Sequence, residues 1–250
     1  MSIVSCETSV SRQIILTRNV FARKQKSRKK STVHRLDIIS YPLIDYDNTE
    51  ALPAIFDVHW YAGSAASQVQ YSPFAKVALR EKALIIWPDG MSDSPGRSGS
   101  WNVSSTIGPK GPICDLNREA WPPLNECFES CPLCDATSSC DWTTCYDDLA
   151  FLDFVVQAVK ESWCLDLDHM HMTGISNGGM LLWNIAAYMD QGLGMATFNT
   201  IAASPQLGFA YPPDSKATGL RFSLIDMHGL EDITIPSNLE TAFGPSPQGA

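Results

Sequence analysis

Short apolar runs of strand length alternate with segments of helical period along most of this chain. Leu36-Asp37-Ile38-Ile39-Ser40-Tyr41 reads as a first strand. Ala54-Ile55-Phe56-Asp57-Val58-His59 and Ala83-Leu84-Ile85-Ile86-Trp87 are almost continuously apolar, the pattern of strands buried on both faces. Residues 65–81 lie between them and carry a helix. Leu149, Leu152, Val156, Val159 and Trp163 recur at helical spacing, and Asp147-Asp148 open that helix with charges suited to its N-terminal end. His169-Met170-His171-Met172-Thr173 is a further strand, followed by the apolar helical run Gly179-Met180-Leu181-Leu182-Trp183-Asn184-Ile185-Ala186-Ala187. Thr197 to Ala203 is a weaker strand and Arg221 to Met227 a stronger one. Strands alternating with helices predict an α/β domain with a doubly wound, mostly parallel sheet.

Between these elements the punctuation is polar and rich in Gly, Pro and Ser. Trp60-Tyr61-Ala62-Gly63-Ser64 and the stretch from Pro88 to Ser100 read as loops. Residues 105–145 interrupt the alternation with an insertion that holds six of the eight cysteines: Cys114, Cys127, Cys131, Cys134, Cys140 and Cys145. Cys131-Pro132-Leu133-Cys134 has the spacing of zinc and redox motifs, but no second pair and no nearby histidine accompany it. A disulfide-stapled insertion is the favoured reading and a zinc-binding interaction module the alternative. Disulfides point to an extracellular setting, where Asn102-Val103-Ser104 is a glycosylation sequon.

Charge divides the chain in two. The net charge is −9, yet residues 1–35 carry nine Lys/Arg and one acid, Glu7, which leaves nine basic and 26 acidic residues for the rest. Residues 1–33 read as a basic, disordered tail without the apolar core of a secretory signal, and 34–250 as the domain. The acidic body argues against a nucleic-acid partner. No apolar run approaches the ~20 residues of a membrane span.

The candidate chemistry lies between the fourth strand and its helix. Gly174-Ile175-Ser176-Asn177-Gly178 reads G-x-S-x-G, and a strand, a sharp turn and a helix are the context a nucleophile elbow needs. Ser176 would stand exposed at a helix N-terminus, and the N–H of Asn177 would point to the same spot and stabilise an oxyanion. The plainer alternative is a glycine-rich turn with an incidental serine. A serine nucleophile needs a base, and the base an orienting acid. Asp232 fits the acid, in a loop after a strand, as His228-Gly229-Leu230-Glu231-Asp232. Asp226 fits less well, because it lies within the strand.

These pieces together resemble the secreted esterase family of polyhydroxybutyrate depolymerase-like, feruloyl and acetylxylan esterases. The matching segments are Val58 to Ser64, Trp87-Pro88-Asp89-Gly90, Ser100-Trp101-Asn102, Asp147 to Phe151, Thr173 to Met180 and His228 to Asp232. They occur in the family's order over about residues 34–236. The resemblance implies an α/β-hydrolase fold, Ser176 as nucleophile, Asp232 as triad acid and no cofactor or metal. It implies oxyanion donors at Asn177 and at Trp60 or Tyr61, and substrate contacts at Trp101 and Asn102. It implies secretion, with an ester-bearing polymer or plant cell-wall polysaccharide as substrate.

Two positions depart from the family. Trp60 stands where glycine is usual after His59, and it either distorts the oxyanion loop or adds an aromatic wall. All five histidines, His34, His59, His169, His171 and His228, precede Asp232, whereas the family's base follows the acid by about one strand. The expectation is that the C-terminal part of the hydrolase domain lies beyond Ala250. Two rivals follow: a hydrolase-fold protein that binds its polymer without cleaving it, and a serine peptidase, since H-G-x-x-D also occurs among these.

Overall fold

The computed structural model describes residues 49–92, 99–103, 144, 146–189, 193–203, 222–232 and 234–235, and the backbone of 18–19, 35–36 and 38–41. The basic run at 23–30, the cysteine-rich insertion apart from Thr144, and the last 15 residues lie outside the described part.

In chain order the elements are β1 (Arg18–Asn19), β2 (Arg35–Leu36), β3 (Ile38–Tyr41), β4 (Leu52–Val58), α1 (Ala65–Tyr71), α2 (Phe74–Glu81), β5 (Leu84–Pro88), α3 (Asp148–Ser162), β6 (Leu165–Ile175), α4 (Asn177–Tyr188), β7 (Thr197–Ile201) and β8 (Ser223–Met227). β1 and β2 form a small antiparallel ladder. The other six strands form one sheet in the order β3-β5-β4-β6-β7-β8. Only β3 runs antiparallel to its neighbour; the rest pair in parallel.

Local chemistry sets the helix ends. Ser64 and Ser67 form a reciprocal capping box at the start of α1. The single helix expected over 65–81 is two helices, because Pro73 drives the residue before it, Ser72, into extended backbone (ψ 138°). Asp147 caps α3 by accepting the Ala150 N–H at 3.1 Å. β6 runs from Leu165, four residues earlier than the expected strand, and an irregularity in its pairing with β4 absorbs the difference.

The sheet buries alternate residues on opposite faces. Ala54, Phe56, Val58, Leu84, Ile86, Met170, Met172 and Phe198 pack with the inner sides of α3 and α4 in the main core. Ile85 and Trp87 face the other way, onto α1 and α2. Fully burying each such large apolar side chain stabilises the fold by about 1.5–3 kcal/mol. Among the described residues no helix is long and apolar enough to cross a membrane.

The connections place the site. From β4 the chain moves outward to β5, then returns to the other side of β4 as β6 and continues outward to β7 and β8. Strand order therefore reverses between β4 and β6. The crevice outside the carboxyl ends of strands at such a reversal is where open α/β sheets bind ligands. Val58 lies beside Gly174 there, and the loops carrying Trp60, Ser176 and Asp232 all leave from that edge of the sheet.

Candidate active site

Ser176 forms the turn between β6 and α4. Its backbone is at φ 55°, ψ −125°, a conformation that glycine adopts readily and a side chain seldom does. The turn is held from both sides. The Ser176 N–H donates to Ile201 O at 2.9 Å, and Ser176 O accepts the Met180 N–H at 2.9 Å. The glycines are required by close approach. A Cβ on Gly178 would lie 2.4 Å from His59 O, one on Gly174 2.7 Å from the Gly178 carbonyl carbon, and one on Gly179 2.5 Å from the Ala203 Cβ. The elbow thus packs α4 directly onto the end of β4. The backbone N–H groups of α4's first turn, beginning with Asn177, face its N-terminus, where negative charge is stabilised.

Asn177 itself is fully buried, and its side chain turns inward. Asn177 Oδ1 accepts the Trp101 N–H at 2.9 Å and the Ser100 hydroxyl at 3.3 Å. The Trp101 indole Nε1–H donates to His59 O at 2.9 Å, and its ring lies between His59 (centroids 4.8 Å) and Phe151 (6.4 Å). Trp101 and Asn102 were expected to contact substrate. Both are buried, and the Trp101 indole N–H and the Asn102 amide are spent on the protein's own carbonyls. Trp101 is thereby tied to Asn177, next to Ser176, and to the end of β4.

His59 is the hub of this arrangement. The Gly90 N–H donates to Nε2 at 2.8 Å, so that nitrogen carries no proton and Nδ1–H donates to Trp60 O at 2.7 Å. Gly63, Gly90 and Gly99 close around its ring so tightly that a Cβ on Gly63 or Gly90 would lie 3.0–3.1 Å from a ring atom. Burial lowers the His59 pKa to about 4, and Asp89, 3.7 Å from Nε2, accepts the Ala65 N–H instead. His59 is a neutral structural imidazole.

The loop after His59 carries the other expected oxyanion donors. Gly63 N–H closes a turn on Trp60 O at 3.0 Å, Ala62 sits at φ 62°, and its N–H donates to Gly99 O. Trp60 and Tyr61 are half-buried. The tryptophan that replaces the expected glycine packs edge-on against the exposed Tyr71, with centroids 5.9 Å apart.

Asp232 sits four residues past His228, in the loop leaving β8. Its Oδ1 accepts the N–H groups of Thr234 and Ile235, both at 2.9 Å. Oδ2 lies 3.5 Å from His228 Nε2, whose own proton goes to Ile235 O. One oxygen thus organises the loop and the other lies beside the His228 ring. Asp226 lies on β8 and accepts the Thr200 hydroxyl. His169 and His171 lie on either side of the middle of β6, bonded to Asp166 and Thr197 respectively. None of the four described histidines stands in the elbow with a ring nitrogen at Ser176. Among the described residues no three His, Cys, Asp or Glu are grouped to hold a metal, and there is no free cysteine.

One functional candidate shows in the sequence only as a helix-end charge. Asp148 is fully buried at the first position of α3, and its Oδ2 accepts the Asn102 N–H. The signal was present: Asp148 shares the helix face of Leu152, Val155 and Val159, the apolar stripe. Burial, first, and the charge of Asp147 push its pKa up to about 7, against the pull of the Asn102 N–H.

These shifts give opposite pH signs. A depressed His59 contributes stability that is present above about 6.5 and lost as pH falls toward 4. A raised Asp148 contributes stability that is present below 3.8 and lost as pH rises through about 7. Asp148→Asn removes the second limb only. In urea unfolding between pH 4 and 7 the variant is expected to gain on the wild type as pH rises, by up to roughly 4 kcal/mol. A constant difference across that range would show that Asp148 is ionised in the native protein throughout.

No protein-family model matches the chain, and no curated protein matches it in sequence. Solved structures do. A poly(3-hydroxybutyrate) depolymerase from Bordetella parapertussis superposes with a TM-score of 0.50 at 15% identity, covering 83% of this chain and 65% of its own. A thermostable esterase gives a TM-score of 0.50 at 12% identity over 84% of this chain and 47% of its own. An acetyl xylan esterase from Aspergillus awamori gives 0.45 at 15% identity over 72% and 52%. The chain thus spans between about half and two thirds of the length of these proteins. With Ser176 on the strained turn between β6 and α4 at the strand-order reversal, the fold of this chain is that of the α/β-hydrolases.

Proposed function

We propose that this chain belongs to a serine carboxylic-ester hydrolase that acts on a polymeric or plant cell-wall ester. The observation that carries the reading is the backbone of Ser176, held at φ 55°, ψ −125° at the mouth of a helix N-terminus. Strain of this kind persists only where the surrounding structure enforces it, and it clusters at active sites. In the reaction Ser176 Oγ attacks the ester carbonyl. Its proton passes to a histidine base oriented by Asp232 Oδ2, a residue that positions 233–250 do not supply. The Asn177 N–H and a loop amide at Trp60 or Tyr61 hold the oxyanion, and water then releases the acyl group. Trp60 and Tyr71 offer an aromatic wall on the same loop edge. The names of the two fold neighbours at a TM-score of 0.50, an esterase and a poly(3-hydroxybutyrate) depolymerase, favour ester over peptide hydrolysis. Extracellular location and disulfides in the 105–145 insertion belong to the same proposal.

A second reading, a hydrolase-fold protein that binds polymer without cleaving it, is favoured by one observation: no described histidine serves Ser176. A fluorophosphonate probe separates the two. Covalent labelling at Ser176, located by mass spectrometry, is expected for the esterase. Hydrolysis of p-nitrophenyl acetate, methyl ferulate, acetylated xylan and hydroxybutyrate oligomers would then identify the ester. A protein that stays unlabelled and still sediments with one of the polymers is the binding protein.

A further inference from the structure

Asp148 is a costly residue where it stands. Asp147 already caps α3, so the helix does not need a second acid. A buried carboxylate is destabilising unless its hydrogen bonds are used. Its Oδ2 accepts the Asn102 N–H, and Asn102 Nδ2–H is tied in turn to Tyr146 O at 2.7 Å, two residues before Asp148. The Asn102 N–H belongs to the peptide that follows Trp101. The Trp101 N–H holds Asn177 Oδ1, and the Trp101 indole holds His59 O. Asn177 is covalently next to Ser176. The strap of residues 99–103 is therefore fastened at one end by Asp148 and at the other grips both the elbow and the end of β4.

We propose that Asp148 is a positioning residue for the nucleophile, setting the conformation of Ser176 through the Asn102–Trp101–Asn177 hydrogen-bond relay. The proposal rests on the reading of Ser176 as a nucleophile for its activity readout, and on the relay alone for its structural one. Its carboxyl stands near its midpoint at neutrality, so the relay changes strength with pH. The groups that bear on that titration are Asp147 from the same helix and the Asn102 N–H from the strap. Asn102 Oδ1, buried and without a partner among the described residues, adds an acceptor in the residue that binds Asp148.

The test uses the whole chain labelled with nitrogen-15 tryptophan. The indole resonance of Trp101 is assigned by its loss in Trp101→Phe, and fluorophosphonate labelling is followed between pH 5 and 9. In the wild type the Trp101 resonance should move with a midpoint near 7. In Asp148→Asn, which keeps an acceptor for the Asn102 N–H, that step should vanish, and labelling at pH 8 should slow by about ten- to a hundred-fold. A purely structural aspartate would alter the unfolding midpoint alone. A folded Asp148→Asn protein that keeps the step, or labels at the wild-type rate, overturns the proposal. If neither protein labels, the esterase reading fails, and the relay is decided by the Trp101 step: its loss supports Asp148 and its persistence overturns it. If Asp148→Asn does not fold, Asp148→Glu takes its place. A displaced Trp101 midpoint then supports the relay, and a wild-type profile overturns it.

Discussion

Ser176→Ala should lose all fluorophosphonate labelling and, in any ester-hydrolysing form of the protein, at least about a thousand-fold in turnover. The nucleophile is a single atom, and no neighbouring hydroxyl on the described elbow can replace it. The second half of the expectation concerns stability. Ser176 occupies φ 55°, ψ −125°, where any Cβ is strained by roughly 1–3 kcal/mol. Alanine keeps that strain and should melt within a degree or two of wild type. Ser176→Gly relieves it and should unfold at higher denaturant, less what glycine loses to its more flexible unfolded chain. An inactive yet more stable Ser176→Gly protein is the signature of a backbone strained for function. Retained labelling in Ser176→Ala would remove the nucleophile assignment, and a less stable Ser176→Gly would remove the strain argument.

Gly178→Ala should be the most damaging single methyl in the described structure. The added Cβ would sit 2.4 Å from His59 O and 2.6 Å from Val58 O. Both are backbone atoms at the end of the central strand β4, which pairs on both sides and cannot withdraw. Relief requires α4 to lift from the sheet, and with it the elbow, the His59 carbonyl that the Trp101 indole holds, and the oxyanion loop. Overpacking of this kind costs about 3 kcal/mol or more. Chemical denaturation should show that loss, and the folded fraction should label slowly. A variant with wild-type stability and reactivity would mean that helix and sheet are less closely joined than these distances state.

The two expectations draw on different kinds of information. G-x-S-x-G marks Ser176 in the sequence, because a sharp strand-to-helix turn demands small neighbours. The strands were equally legible. β4, apart from Asp57, and β5 are continuous apolar runs, since a central parallel strand is buried on both faces, and α3 shows its stripe at helical spacing. Where local chemistry competes with pattern, the elements differ from those the pattern predicts. Pro73 split one expected helix into two, and the polar Asp166 and Asp168 hid the first half of β6.

What the chain order cannot contain is which side chains face each other. His59, Gly90, Trp101, Asp148 and Asn177 are spread over more than a hundred residues and meet in one hydrogen-bonded cluster only because β4 and β6 are neighbours in the sheet. Trp101 and Asn102, expected at a substrate surface, turned out to be buried struts, because their donors match carbonyls that sequence alone does not bring near. Asp148 moved from a helix-end charge to a buried fastening of the strap for the same reason. Local propensity and periodicity determined the elements of this protein and the turn that carries Ser176. Long-range packing alone decided which polar groups were buried, and a buried polar group must find its partner in the fold.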